Sequence, residues 1–247
     1  MATAASQRSI PPEIIVRDGT CPDPEGAAVL VDKPNGPTSH DVVTQIRRHF
    51  GGCKTGHAGT LDPLATGLLI ILMGRPATRL QDAFMHQGKT YRGTLRLGAT
   101  TPTYDREMEV DATHPWTHIS DADLAAAMES FTGTIVQRPP LYSAVRVQGE
   151  RLYKKARRGE TAVRPPRQVT VSAFELIARS GPDVTFRVDC SKGTYIRSLA
   201  HDLGQALDSG AYLTSLRRTH IGAYTVDDAW ALDELLRTCS VSIPSPS

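Results

Sequence analysis

The chain has 247 residues, 40% of them hydrophobic and 22% charged, which suits a globular protein of one large or two modest domains. No apolar run nears the roughly 20 residues of a membrane span, and Met1 to Ile10 lacks the apolar stretch of a secretory signal. Cys21, Cys53, Cys190 and Cys239 are scattered, with no CxxC pair and no His at zinc-ligand spacing, so free thiols, no metal and a reducing cytoplasmic location are expected.

In chain order, residues 1–26 are Pro-, Ser- and Thr-rich and aperiodic, and read as a loose extension before a domain spanning 27–237. Ala27 to Asp32 reads as a buried strand broken by Lys33-Pro34-Asn35-Gly36-Pro37. Thr38 or Ser39 then caps a helix running to Phe50. Gly51 to Gly67 is a glycine-dotted loop, and Leu68 to Met73 is a second strand. Lys89 to Leu97 alternates, with Tyr91, Leu95 and Leu97 facing one way and Arg92, Thr94 and Arg96 the other. Ser120 caps the helix ADLAAAMESF, which ends before Gly133.

Tyr142 to Val147 reads as a strand and Arg151 to Arg158 as a short basic helix. Gln168 to Ala178 and Val184 to Cys190 flank a Ser-Gly-Pro-Asp turn, a hairpin signal. Thr194 to Leu207 is helical, Arg217 to Tyr224 extended and Asp228 to Arg237 helical, before a loose tail at 238–247. Strands pair with strands as often as they alternate with helices. The expected class is therefore α+β, with a mixed, largely antiparallel sheet flanked by helices.

Net charge is only +2, but its distribution is uneven. From Arg138 to Arg197 there are 13 Lys and Arg against 5 Asp and Glu, which predicts a basic face able to neutralise phosphates. A clustered but merely solvated surface would look the same.

Three segments carry chemistry. Gly56-His57-Ala58-Gly59-Thr60-Leu61-Asp62-Pro63-Leu64-Ala65-Thr66-Gly67 presents a carboxylate from a loop whose glycines permit sharp bends, and the following proline holds Asp62 out of a helix. An Asx-turn or N-cap also reads as Asp-Pro, so the residues alone leave both roles open. Cys190-Ser191-Lys192-Gly193-Thr194-Tyr195-Ile196-Arg197 leaves a strand, turns at glycine and delivers Tyr195 and Arg197 at a helix start. Lys89-Thr90-Tyr91-Arg92 sets an aromatic ring between cations, a pairing that suits base stacking beside phosphates.

The GHAGTLDPLATG loop, VDKPNGPTSHDVV, PPLYSAVRVQGERLYKKARRG and CSKGTYIRSL together resemble the TruB family of tRNA pseudouridine synthases, from about Val29 to Tyr224. The resemblance implies a pseudouridine synthase fold and the cofactor-free conversion of uridine-55 in the T-arm of tRNA to pseudouridine. It implies Asp62 as the catalytic carboxylate, Tyr91 stacked on the target base and Arg197 paired with the carboxylate. His57, Tyr195 and Leu216 would line the pocket, with Lys33 supporting it. The expected partner is the tRNA T-arm, bound by a monomer with no obligatory protein partner. Family members often end in a PUA-type RNA-binding domain, and no complete one is expected here. Around Gly74 to Arg79 the chain also departs from the usual Gly-Glu-Ala-Thr-Lys by one extra residue and a missing acid.

Two other classes compete. A non-catalytic RNA-binding or tRNA-folding module would use the basic stretch and the aromatics but would not need Asp62. A nucleoside hydrolase would need a second carboxylate, which the matching segments do not offer.

Overall fold

The structure, a computed structural model, describes residues 10–143, 146–147, 150–151, 158 and 164–239. The chain forms two compact units, one running to Lys89 and resuming at Arg217, the other spanning Thr90–Leu216.

In the first unit, Ala28–Lys33 and Thr66–Met73 pair antiparallel, with Ala28 opposite Leu72 and Lys33 opposite Gly67. Both are almost wholly buried, which is why they read as continuous apolar runs rather than alternating ones. Ile15–Val16 and Trp230–Ala231 each pair parallel to Ala28–Lys33, so segments from both ends of the chain flank one strand. Leu30, Leu68, Ile70, Leu72, Phe84 and Ile221 form the core of this unit. The helix Ser39–His49 starts in a capping box, Thr38 accepting from the Asp41 amide while Asp41 accepts from Thr38. It buries Val42, Val43 and Ile46.

In the second unit the strand order is Ala211–Ile221, Lys89–Leu97, Asp183–Cys190, Arg167–Ser180, Gly133–Gln137, the first two strands carrying the chain from one unit to the other. Lys89–Leu97 buries every second residue, Tyr91, Leu95 and Leu97 among them, as its alternation predicts. Arg167–Ser180 and Asp183–Cys190 form the expected antiparallel hairpin. Phe174 and Phe186 meet edge to face across it, with centroids 5.5 Å apart. Ser120 caps Asp121–Ser130 in a second capping box, and Ile196–Ala206 is helical. The sheet is mixed and largely antiparallel, and the class is α+β as expected.

Several expectations change. Four free thiols are not what the fold contains: Cys21 and Cys239 are joined in a disulfide, while Cys53 and Cys190 are free. Pairing of Trp230–Ala231 with Ala28–Lys33 and the Asp18 to Asp228 backbone bond bring the two ends together, and a separation of 218 residues hides that in the sequence. The predicted loop after Gly51 contains the strand Thr55–His57, paired to Ile71–Met73. Helices Gly74–Thr78 and Gln81–His86 carry too short a pattern to predict. The expected helix from Asp228 is a 3-10 turn, Val226–Asp228, then Trp230–Ala231 and a helix from Leu232 to Thr238. The final long strand starts at Ala211 rather than Arg217. Of the strand expected over Tyr142 to Val147, Tyr142 and Ser143 form a bend instead and Arg146–Val147 is a strand, while the basic helix expected over Arg151 to Arg158 lies mostly outside the described residues.

Candidate active site

Lys33, His57 and Asp62 lie in the first unit, and Tyr91, Tyr195, Arg197 and Leu216 in the second.

The Asp62 loop is held from several sides, almost entirely through its backbone. Ser39, 1% exposed at the start of its helix, donates its hydroxyl to the Leu61 carbonyl at 2.9 Å and accepts from the Leu61 amide at 2.8 Å. Lys33 is fully buried, and its Nζ donates to the Pro34 carbonyl at 2.8 Å and the Pro63 carbonyl at 3.4 Å. The Gly36 amide also donates to Pro63, and the Asn35 side chain donates to Leu64. The turn anticipated in Lys33-Pro34-Asn35-Gly36 is thus the scaffold that fixes the residues on either side of Asp62. The loop closes at Gly67, whose φ of +99° is open to glycine and whose added Cβ would lie 2.2 Å from the Arg218 carbonyl oxygen.

Arg218, which sequence reasoning missed, lies under this loop. Only 1% exposed, it donates Nε to the Leu68 carbonyl at 2.8 Å, Nη1 to Thr60 at 3.4 Å and Nη2 to Gly59 at 3.1 Å. His57 is half-buried, its carbonyl accepts from Gln81, and its Nδ1 has no hydrogen-bond partner among the described residues. Burial lowers the His57 pKa first, then the positive charge of Arg218, then that of His40. All three causes favour a neutral imidazole.

In the second unit, Tyr91 is 8% exposed on its strand. Thr90 beside it donates its hydroxyl to Asp189. Leu216 is buried to the same degree. Tyr195 stands before the helix Ile196–Ala206 and has no side-chain cap. The buried Gln137 holds the backbone of Tyr195 instead, donating to its carbonyl at 2.9 Å and accepting from its amide at 2.7 Å. Arg167 lies 5.2 Å over the Tyr195 ring.

Arg197, in the first turn of that helix, is 5% exposed. It donates to the Thr103 and Tyr142 carbonyls at 3.0 and 2.9 Å, and its Nη1 lies 3.5 Å from Oδ2 of Asp105. Asp105 is fully buried, and its Oδ1 accepts from Thr103 and from the Glu107 amide. Its loop is tied to the strand Ala211–Ile221 by the Arg106 amide to Leu213 and the Leu213 amide to Tyr104. Nothing in the polar run Thr101 to Glu107 marks Asp105 as buried, because only that docking encloses it.

Asp202, on the same helix, is pushed by burial up to about 6, with Arg164 pulling it back. A carboxyl raised in the fold weakens the fold as pH climbs from about 4 through 6, and the deficit persists above. Asp202→Asn is therefore expected to be more stable than the parent at pH 8 by about 1 kcal/mol, allowing for a partly solvated side chain. At pH 4 the gain should vanish. Urea unfolding at the two pH values checks this, and equal stability at pH 8 would refute it.

A family model described as TruB family pseudouridylate synthase (N-terminal domain) matches residues 47–196. The chain belongs to the TruB family of pseudouridylate synthases. A second family model, the tRNA pseudouridylate synthase B C-terminal domain, matches residues 197–242. The "tRNA pseudouridine synthase B" of Burkholderia lata is 48% identical over 95% of this chain and 70% of its own length. That of Thermobifida fusca is 49% identical over 84% of this chain and 73% of its own. Among solved structures, a chain of a Cbf5-Nop10-Gar1 complex superposes with a TM-score of 0.67 at 34% identity, over 86% of this chain and 54% of that one. A chain of an H/ACA RNP bound to a substrate RNA containing 2′-deoxyuridine gives 0.64 at 30% identity, over 87% and 53%. This TruB-family chain is accordingly an isomerase of the pseudouridine synthase fold. No helix among its described residues is long and apolar enough to cross a membrane.

Proposed function

We propose that this TruB-family enzyme converts uridine-55 in the T-arm of tRNA to pseudouridine, with Asp62 as its catalytic carboxylate. The observation that carries the reading is the set of buried clamps on the Asp62 loop, from Lys33, Ser39 and Arg218, which spend buried polar groups to hold one carboxylate-bearing turn in place. The relatives named tRNA pseudouridine synthase B support tRNA as the substrate.

The reaction breaks the N1–C1′ bond of uridine, turns the uracil and rejoins it through C5. It needs no external donor of electrons or groups. The target base leaves its stack at a cost of a few kcal/mol, and stacking on Tyr91 returns about 1–3 kcal/mol. Asp62 then attacks C1′ or removes a sugar proton, and either route requires its ionised form. Arg197 supplies a cation at any working pH and favours that form. We assign His57, Tyr195 and Leu216 to binding the target nucleotide, and Lys33 to supporting the Asp62 loop.

Incubating the protein with unmodified tRNA transcript and mapping pseudouridine at single-nucleotide resolution tests the reading. Modification at position 55 supports it. Intact uridine there, with tRNA still bound, would favour the non-catalytic module instead.

Tyr91 separates stacking from proton transfer. Tyr91→Leu removes the ring and is expected to lose activity. If the hydroxyl also moves the C5 proton, Tyr91→Phe should be slower by at least about 10²-fold in single-turnover pseudouridine formation. A Phe variant within tenfold of the parent would leave stacking as its only role.

RNA binding is expected to weaken steeply with salt, because the stretch from Arg138 to Arg197 must meet phosphates. Each contact adds close to one unit to the slope of log K against log salt. A flat plot would remove the basic face from the account.

A further inference from the structure

We propose that Arg218 is a positioning residue for the reaction: its buried guanidinium ties the two ends of the Asp62 loop together and thereby sets where the carboxylate stands. The inference rests on Asp62 being the catalytic carboxylate.

The geometry is that of a fork spanning a loop. Nη1 and Nη2 hold the Thr60 and Gly59 carbonyls where the chain enters, and Nε holds the Leu68 carbonyl where it leaves. The Arg218 backbone sits opposite Gly67 in a parallel pairing of Ala211–Ile221 with Thr66–Met73. From that strand the side chain reaches carbonyls at both ends of the loop. Asp62 lies two residues beyond Thr60, so a shift at the fork moves it directly.

Charge strengthens the case. Among the described residues no carboxylate lies within ion-pair distance of Arg218, although it is 1% exposed. Taking a guanidinium out of water without an acidic partner is costly, and an apolar side chain would fill the same space without that cost. Three carbonyls reached from three different nitrogens of one guanidinium, which a single ammonium nitrogen does not offer, give the reason for keeping it. The charge is felt nearby, since Arg218 is the second cause of the lowered His57 pKa. His40 is the other cation acting on that ring.

Two variants separate fork from charge. Arg218→Lys keeps the charge but offers all its donors from one nitrogen, so it cannot reach both ends of the loop. Arg218→Met removes both. Single-turnover pseudouridine formation on a T-arm hairpin is expected to slow by about 10–100-fold in Arg218→Lys, with KM within about threefold of the parent, because a misplaced reacting group costs rate rather than binding. Backbone amide exchange should accelerate in residues 59–68 and stay unchanged in the rest of the first unit. His57 should titrate as in the parent in Arg218→Lys and at higher pH in Arg218→Met.

A Lys variant turning over within twofold of the parent per folded molecule would overturn the proposal, as would loss of amide protection spread evenly over the unit. Should both variants fail to fold, the parent alone decides. Its Arg218 Nε proton is expected to exchange slowly by NMR, and exchange at the rate of a solvated guanidinium would overturn the clamp. If the parent makes no pseudouridine, the catalytic reading fails while amide exchange and His57 titration still decide whether the clamp exists.

Discussion

Asp62→Asn is expected to lower single-turnover pseudouridine formation by at least about 10³-fold while leaving tRNA affinity within a few-fold. The amide has the shape of the carboxylate but can neither attack C1′ nor take a proton. The loop should keep its conformation, since Lys33, Ser39 and Arg218 all hold it through backbone atoms of Gly59, Thr60, Leu61, Pro63 and Leu68. Binding should persist because the phosphate contacts proposed for the basic stretch would not involve this side chain. A variant retaining even a tenth of the parent rate would mean the carboxylate is not the reacting group. Loss of tRNA binding in step with activity would mean that Asp62 serves recognition.

Arg197→Met is expected to be the most destabilising of the site substitutions, by about 3–5 kcal/mol, because it strands a buried acid. Asp105 is fully buried with its Oδ2 3.5 Å from Arg197, and no other cation lies within ion-pair distance of it among the described residues. The Thr103 and Tyr142 carbonyls lose their charged donor in the same step. The melting temperature should fall by roughly 10 °C. Adding Asp105→Asn should restore part of the loss, because a neutral amide tolerates burial better than an unpaired carboxylate. Thermal unfolding of the two single variants and the double variant measures this coupling. A single-variant loss below about 1 kcal/mol would show that water reaches Asp105 after all.

Local rules account for much of the fold. Thr38 with Asp41 and Ser120 with Asp123 are capping boxes visible as residue pairs three apart, and both helices start where those pairs say. The alternation of Lys89 to Leu97 and the near-continuous apolar run of Leu68 to Met73 are signals of the same kind, because burial on one face or two writes itself into spacing. The Asp62 loop is also legible, since glycines and an Asp-Pro pair are backbone instructions carried by the residues themselves.

What the sequence determined by itself is therefore the family, the class of fold, the starts of the two capped helices and the candidate residues of the site. Tertiary structure decided the partners. The Arg218 contact with Gly59 and the Arg197 contact with Asp105 join residues 159 and 92 positions apart along the chain. No periodicity connects such distant residues. The Cys21–Cys239 disulfide likewise depends on strands from both ends meeting at Ala28–Lys33. An arginine or an aspartate looks the same in sequence whether it is solvated or enclosed. Whether it becomes a clamp, a buried ion pair or a surface charge is set by which strands and loops pack over it, and that is a property of the folded chain.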